Sequence, residues 1–462
     1  MKQINQINQT NQISAIIRDL RTFIIFWLGQ SLSEIGNRLT GFGLGIWVYQ
    51  NTHQVGGLSI VIFFTTLPGV LITPFVGALV DRWNRKWTII FSDLAAATII
   101  LTIALLLFTG HLQVWHTYIT AFFTSVCGSF QMIAKGAALP MMVKKHQMAR
   151  ANGLIQFSTA AGQLTAPILA GILIAYLQLE GLLIVDFSTY LIGVLTLLIV
   201  EIPQPEPRIT TLNPSMISIR SLMDDIADGW KHISNHAILP ILLAFMTIHF
   251  FVDGMTTVVI NPLILSFSSA TTFGSVMSIA GCGMVAGSIA MSIWGGGKKY
   301  ISTLFTFGAL DGIALIIVGI KPSIPIIAFG LFLSFFTLPI TLSTNMTIWQ
   351  TSFNSNVQGR VISLYSTVVG LAVAVGNLTV SPLTDNFLEP MLSADGLLSK
   401  SVGILIETGK GRGIGFLLVM AGLLIFSVSI IFYTYLVLKN IKFPSDTVDG
   451  FIVTGGEIVE DL

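Results

Sequence analysis

Residues 413–438 read Gly-Ile-Gly-Phe-Leu-Leu-Val-Met-Ala-Gly-Leu-Leu-Ile-Phe-Ser-Val-Ser-Ile-Ile-Phe-Tyr-Thr-Tyr-Leu-Val-Leu, a run without one charge. Apolar side chains recur on every face, so a helix built from this run has no side for water. A hydrocarbon core about 30 Å thick takes roughly 20 residues of helix, in which every backbone N–H and C=O is satisfied internally. The runs ending at Trp294 and Trp349 are uncharged in the same way. None has the alternating pattern of a membrane barrel strand.

The rest of the 462-residue chain is built alike. It is 53% hydrophobic, its mean hydropathy is +0.82, and charged residues make up 10%, against about 25% in soluble domains. That excludes a soluble enzyme. A net charge of +1 leaves no basic field for nucleic acid. Cys127 and Cys282 lie inside apolar stretches, so neither a disulfide nor a metal cluster is expected. The chain has no phosphate-binding loop, H-E-x-x-H, G-x-S-x-G or G-x-G-x-x-G, so no cofactor and no direct use of ATP is expected.

Twelve apolar runs predict twelve transmembrane helices: 22–48, 57–80, 87–109, 113–138, 153–178, 181–201, 238–265, 271–294, 300–320, 324–349, 361–385 and 413–438. When loops alternate between the two sides, 17 basic residues fall on the side of the termini and 4 on the other. Both termini are therefore expected in the cytoplasm. Residues 1–21 and 439–462 read as cytoplasmic tails, the first disordered over 1–13 without a cleavage site and the second acidic and solubilising from Asp446 to Asp461. Pro203, Pro205 and Pro207 open the longest polar stretch between spans, a linker at 202–237 joining six-helix bundles at 22–201 and 238–438. Within it Ile219, Leu222, Ile226, Trp230 and Ile233 lie opposite Asp224, Asp225 and Asp228, which predicts an amphipathic helix along the cytoplasmic interface. His232 and His236 in this linker read as a solvated face rather than a metal site.

The halves echo each other. Gly77-Ala-Leu-Val-Asp81-Arg82-Trp-Asn84-Arg85-Lys86 follows the second span, and Gly295-Gly296-Gly297-Lys298-Lys299 follows the eighth. Arg150 precedes span five as Arg360 precedes span eleven. The first decapeptide resembles the G-x-x-x-D-R-x-G-R-K signature of the major facilitator superfamily, with Asn84 at the second glycine. Asn tolerates the left-handed backbone that a tight turn demands. Gly77 lets span two approach a partner helix closely, and Asp81 offers a carboxylate to a helix amino terminus or an arginine. The resemblance implies that this loop, through Gly77, Asp81, Arg82, Arg85 and Lys86, latches a gate. Span five carries Gly153, Gly162, Ala166-Pro167 and Ala170-Gly171. This is similar to the antiporter motif of drug exporters with two glycines replaced, and predicts close helix contact and a kink at Pro167. Across nearly the whole chain the sequence looks most like the macrolide and siderophore efflux branch, except that Asn37 follows Gly36 where that branch has an aspartate.

The resemblance implies an all-α fold of two pseudo-symmetric six-helix bundles, with spans 1, 4, 7 and 10 lining a central cavity. Charges inside spans cost about 2.5–3.5 kcal/mol each, so they face a cavity or a partner. The acids are Glu34, Asp93, Asp186, Asp253, Asp311 and Asp385, against Arg38 and Lys135. The implied layout favours Glu34, Arg38, Lys135, His249 and Asp253 as substrate and proton-coupling residues, and makes Asp93, Asp186 and Asp311 structural. Glu34 and Arg38 are four apart, as are His249 and Asp253, so each pair shares a helix face. His249 beside Asp253 could hold or relay a proton, and both pairs could equally be local pairs that make a polar group tolerable in the bundle. The expected protein is a monomeric proton antiporter in the cell membrane, exporting an amphipathic small molecule. A facilitator or importer of a metabolite or lysolipid, and a non-transporting sensor or assembly factor, remain the alternatives.

Overall fold

Every apolar run becomes helix in the computed structural model, which describes residues 21–52, 55–204, 219–297, 299–393 and 396–439. The amino-terminal tail, the segment holding Pro205 and Pro207, and the acidic carboxy-terminal tail lie outside the described residues. The helices are α1 (Arg21–Thr52), α2 (Val55–Arg82), α3 (Arg85–Phe108), α4 (Val114–Met142), α5 (Met148–Ile199), α6 (Ile219–Ser234), α7 (Leu239–Leu265), α8 (Ala270–Trp294), α9 (Tyr300–Ile320), α10 (Ile324–Ser352), α11 (Gln358–Leu383) and α12 (Arg412–Leu438). No strand occurs among the described residues.

Spans five and six are continuous in α5, broken only where Gln178 leaves helical geometry at φ 58°, ψ −171°. Pro167 lies inside this helix, and the break at Gln178 falls between the two expected spans. Nine described helices are apolar and long enough to cross a membrane by composition alone, with the stretch Lys145–Ile199 counted once. The two remaining long helices, α1 and α4, carry the in-span charges Glu34, Arg38 and Lys135. With α5 read as two spans the total is twelve. The flanks are apolar, with Leu378 76% and Leu438 78% exposed, as lipid contact requires.

The helices form two units. One holds the described residues through Asn235 together with Trp349–Leu371, and the other holds His236–Ile348 and the described residues from Ala372 onward. In the first, α1 packs on α5, α2 on α4, and α3 on both α4 and α5. Its core centres on Phe23, Val76, Ile89, Ile133, Leu182 and Leu197. In the second, α12 packs against α9 and α7. There Gly312 faces Gly422 and Gly319 faces Gly415, so backbone meets backbone and a Cβ at Gly312 would lie 2.7 Å from the Gly422 carbonyl oxygen.

Candidate functional site

The loop after α2 is short because α3 starts at once. Asn84 accepts a hydrogen bond from Trp87 N at 3.2 Å and caps α3. Its φ is −68°, so the left-handed turn expected at this position does not form. Capping explains why Asn serves where the signature has glycine. Asp81, nearly fully buried, accepts from Gly359 N at 2.7 Å and Arg360 N at 3.0 Å, at the start of α11. It also accepts from Arg360 Nε at 3.2 Å and faces Arg85 Nη2 at 3.6 Å. A helix amino terminus and two arginines thus converge on one carboxylate. Gly77 makes room for this, since a Cβ there would overlap Ser363 and lie 2.5 Å from the Gly359 carbonyl oxygen.

The network extends to α6. Arg360 donates to Asp225 at 3.1 Å and Asp228 at 2.9 Å, and Arg82 donates to Asp225. Arg85 donates to Ala137 O at 2.7 Å and to Ser355 O. Lys86 caps the end of α5 through Leu198 O at 3.1 Å and Val200 O at 2.9 Å. Asp81, Asp225 and Asp228 thus face Arg82, Arg85 and Arg360, with Asp81, Arg85 and Arg360 buried and Arg82 and Asp228 partly exposed. On α6, Asp225 and Asp228 turn toward the arginines, Ile233 is buried, and Trp230 is half exposed.

Deeper in the same unit, Arg38 Nη2 donates to Glu34 at 2.8 Å, and Thr159 on α5 donates to the same oxygen at 3.3 Å. Gly162 lies under the Arg38 stem, where a Cβ would be 2.9 Å from Cδ. Gln30 Nε2 donates to the buried Asp93 at 3.1 Å, with Lys135 as the electrostatic partner of that acid. Asp186 is fully buried and accepts from Thr40 at 2.6 Å.

In the second unit His249, Asp253, Thr256, Thr257, Asn261, Asp311 and Ser334 share the wall of a cavity of about 140 Å³. Asp311 accepts from Ser334 Oγ at 2.5 Å and Thr337 Oγ1 at 3.4 Å, and its other oxygen is 3.7 Å from His249 Nε2. Asp253 lies within electrostatic reach of both His249 and Asp311.

A model of the Major Facilitator Superfamily matches residues 26–377. The chain belongs to that superfamily. It is 27% identical over 361 residues to macrolide efflux protein A of Streptococcus pyogenes, covering 77% of this chain and 87% of that protein. It is 28% identical over 317 residues to macrolide efflux protein A of Enterococcus faecalis, covering 67% and 95%. Among solved structures, the human organic anion transporter MFSD10 (TETRAN) superposes with a TM-score of 0.66 at 16% identity, over 89% of this chain and 99% of that one, a likeness of fold. The superfamily is one of transporters, not enzymes.

As a major facilitator protein, the chain keeps its signature residues together and divides its antiporter-like motif. Gly162, Ala166 and Ala170, four apart, face the core, whereas Pro167 and Gly171 face outward, with open space around Gly171. Gly153 is buried. The sequence places Asp311 among structural acids, but the fold brings it to His249 and Asp253. Arg360, Asp225 and Asp228 were legible only as charges flanking spans. Three partly exposed charge contacts at roughly 0.5 kcal/mol each hold α6. Replacing Asp225 and Asp228 together by Asn should therefore speed amide hydrogen exchange across Ile219–Ser234 about tenfold, read by mass spectrometry.

Proposed function

We propose that this protein is a secondary transporter that exports amphipathic small molecules, macrolide-like or siderophore-like, out of the cell in exchange for inward-moving protons. The observation that carries the reading is the 27–28% identity to two macrolide efflux proteins over most of their length. The protein would sit in the cell membrane as a monomer with both termini cytoplasmic, and would work by alternating access of two six-helix bundles at 22–201 and 238–438 joined by the linker. The Asp81 network would then latch a gate on the cytoplasmic side, made and broken once per cycle.

Coupling falls to an acid inside the membrane. Glu34 is poised beside Arg38, which can exchange its partner for substrate, and Asp253 lines a polar cavity beside His249. Lys135, engaged electrostatically with Asp93, would set the charge of the first unit. In cells lacking their own pumps, export of erythromycin should collapse on adding a protonophore. At least one of Glu34→Gln and Asp253→Asn should lower it about tenfold, the lower end of what a positioned proton-transfer group supplies. Undiminished proton-dependent export in both variants would refute the assignment. Export that survives the protonophore would instead favour a facilitator, a reading that fits a Glu34–Arg38 pair already satisfied at 2.8 Å.

A further inference from the structure

The first unit holds a groove of about 550 Å³ between α3 and α4. Along α3 it runs from Asn84 to Ala95, which is eleven residues of helix or about 17 Å. One wall is the stacked pair Trp87 and Phe91, with ring centroids 5.7 Å apart. Another is Trp83 laid on Phe130 at 6.1 Å, the planes only 11° apart. Ser92, Ala95 and Cys127 between them are small, which leaves the space open. The groove faces sideways out of the unit. Trp87 and Phe91 begin a stripe of exposed apolar side chains that continues at helical spacing through Leu94, Leu101, Leu105 and Phe108, the face of α3 that lipid covers. The groove also offers no free hydrogen bond from its hydroxyls. Thr88 gives its own to Asn84 O at 2.9 Å and Ser92 to Thr88 O at 2.8 Å, while the Asn84 side-chain oxygen holds Trp87 N. A molecule rich in hydroxyls would lose its water there without replacement. A hydrocarbon chain loses nothing by entering.

We propose that this groove is a binding site for one acyl chain of a membrane phospholipid, drawn from the leaflet on the side of the α2–α3 loop. The length fits, since one leaflet is half of a hydrocarbon core about 30 Å thick. Trp83 and Trp87 at the start of α3 stand at the headgroup end, the level at which indoles collect. The groove is continuous with the lipid-covered stripe of α3, so a chain reaches it from the bilayer without crossing polar surface. Lipid along Leu101 and Leu105 touches one helix and exchanges freely. A chain in the groove meets atoms of both α3 and α4 and is held by many more contacts. It therefore remains as a resident lipid, packing the gap that Ser92, Ala95 and Cys127 leave. The inference needs only that the protein spans a bilayer, and it stands whatever compound is exported.

Two measurements on the full-length protein test it. Purified in dodecyl maltoside, the wild type should carry a retained phospholipid in native mass spectrometry. Ala95→Phe puts a ring into the groove from an exposed position. It should retain about tenfold less lipid, the weight of two methylenes. Cys127→Leu fills the same space from α4 and repeats the test should Ala95→Phe fold poorly. The second measurement uses vesicles of dioleoylphosphatidylglycerol doped with the same lipid carrying a diazirine in one chain. Photolysis should place adducts on Ala95, Val126 and Cys127 in preference to Leu101 and Leu105, and Ala95→Phe should abolish that preference. No retained lipid, or equal retention in the filled variants, would overturn the site. Adducts spread evenly to Leu101 and Leu105 would mean ordinary boundary lipid and would overturn it too. Adducts displaced by erythromycin would make the groove a dock for the exported compound, and the lipid assignment would fall.

Discussion

Asp81→Asn should reduce export about 100-fold while the protein still reaches the membrane. Asp81 satisfies two backbone N–H groups and the Arg360 Nε at one point, with Arg85 at 3.6 Å. Asparagine fits the space and keeps one acceptor oxygen, but it removes the charge that balances two arginines buried to 2% exposure or less. Removing one partner of a buried pair costs about 3 kcal/mol, and each 1.4 kcal/mol is a factor of ten in an equilibrium. The loss falls on the arrangement in which α2 meets the start of α11, so the population of that arrangement drops and turnover drops with it. Arg360→Gln alone should be as damaging, because it leaves Asp81, Asp225 and Asp228 without their shared cation. The double variant Asp81→Asn/Arg360→Gln should recover part of the loss, since of the two buried arginines only Arg85 is then left without its carboxylate. Export rates in matched membrane vesicles check all three. Strictly additive losses would mean that the two residues act independently.

What could be read from the chain and what could not divide along physical lines. The twelve spans were legible because the bilayer fixes their length and makes each charge inside them costly. The need of Asp81 for a helix terminus and an arginine was legible from residue type. That the arginine would be Arg360 was not, because a contact across 279 residues leaves no mark on local pattern. The amphipathic pattern of α6 was legible, but that Asp225 and Asp228 would meet Arg82 and Arg360 was not, because those partners lie 132 to 143 residues away in the chain. That Asp311 lines a cavity was not legible from the rank of its helix. What decides whether a side chain reaches a cavity is rotation about the helix axis, which turns Asp311 toward α7 and α10.

Gly422→Leu should remove most of the folded second unit from the membrane, with yield of monodisperse protein falling more than tenfold. Its Cβ would overlap the Gly312 carbonyl oxygen and sit 2.8 Å from Ile316 N. Both obstacles are backbone, which cannot rotate away as a side chain can. In water, overpacking a core costs about 1–3 kcal/mol. Here the penalty is compounded, because without a hydrophobic force between helices the association of α9 and α12 depends on close contact, and parting them at one glycine pair loosens the other. Gly319 and Gly415, seven residues away on each helix, hold the same seam. Gly422→Ala should be intermediate and Gly312→Leu as severe as Gly422→Leu. Gly171→Leu supplies the contrast, since that glycine is exposed with nothing within 4 Å of a Cβ and should fold at wild-type yield. Fluorescence-detected size exclusion of tagged variants reads the series, and a Gly422→Leu profile matching Gly171→Leu would show that the seam does not hold α9 to α12.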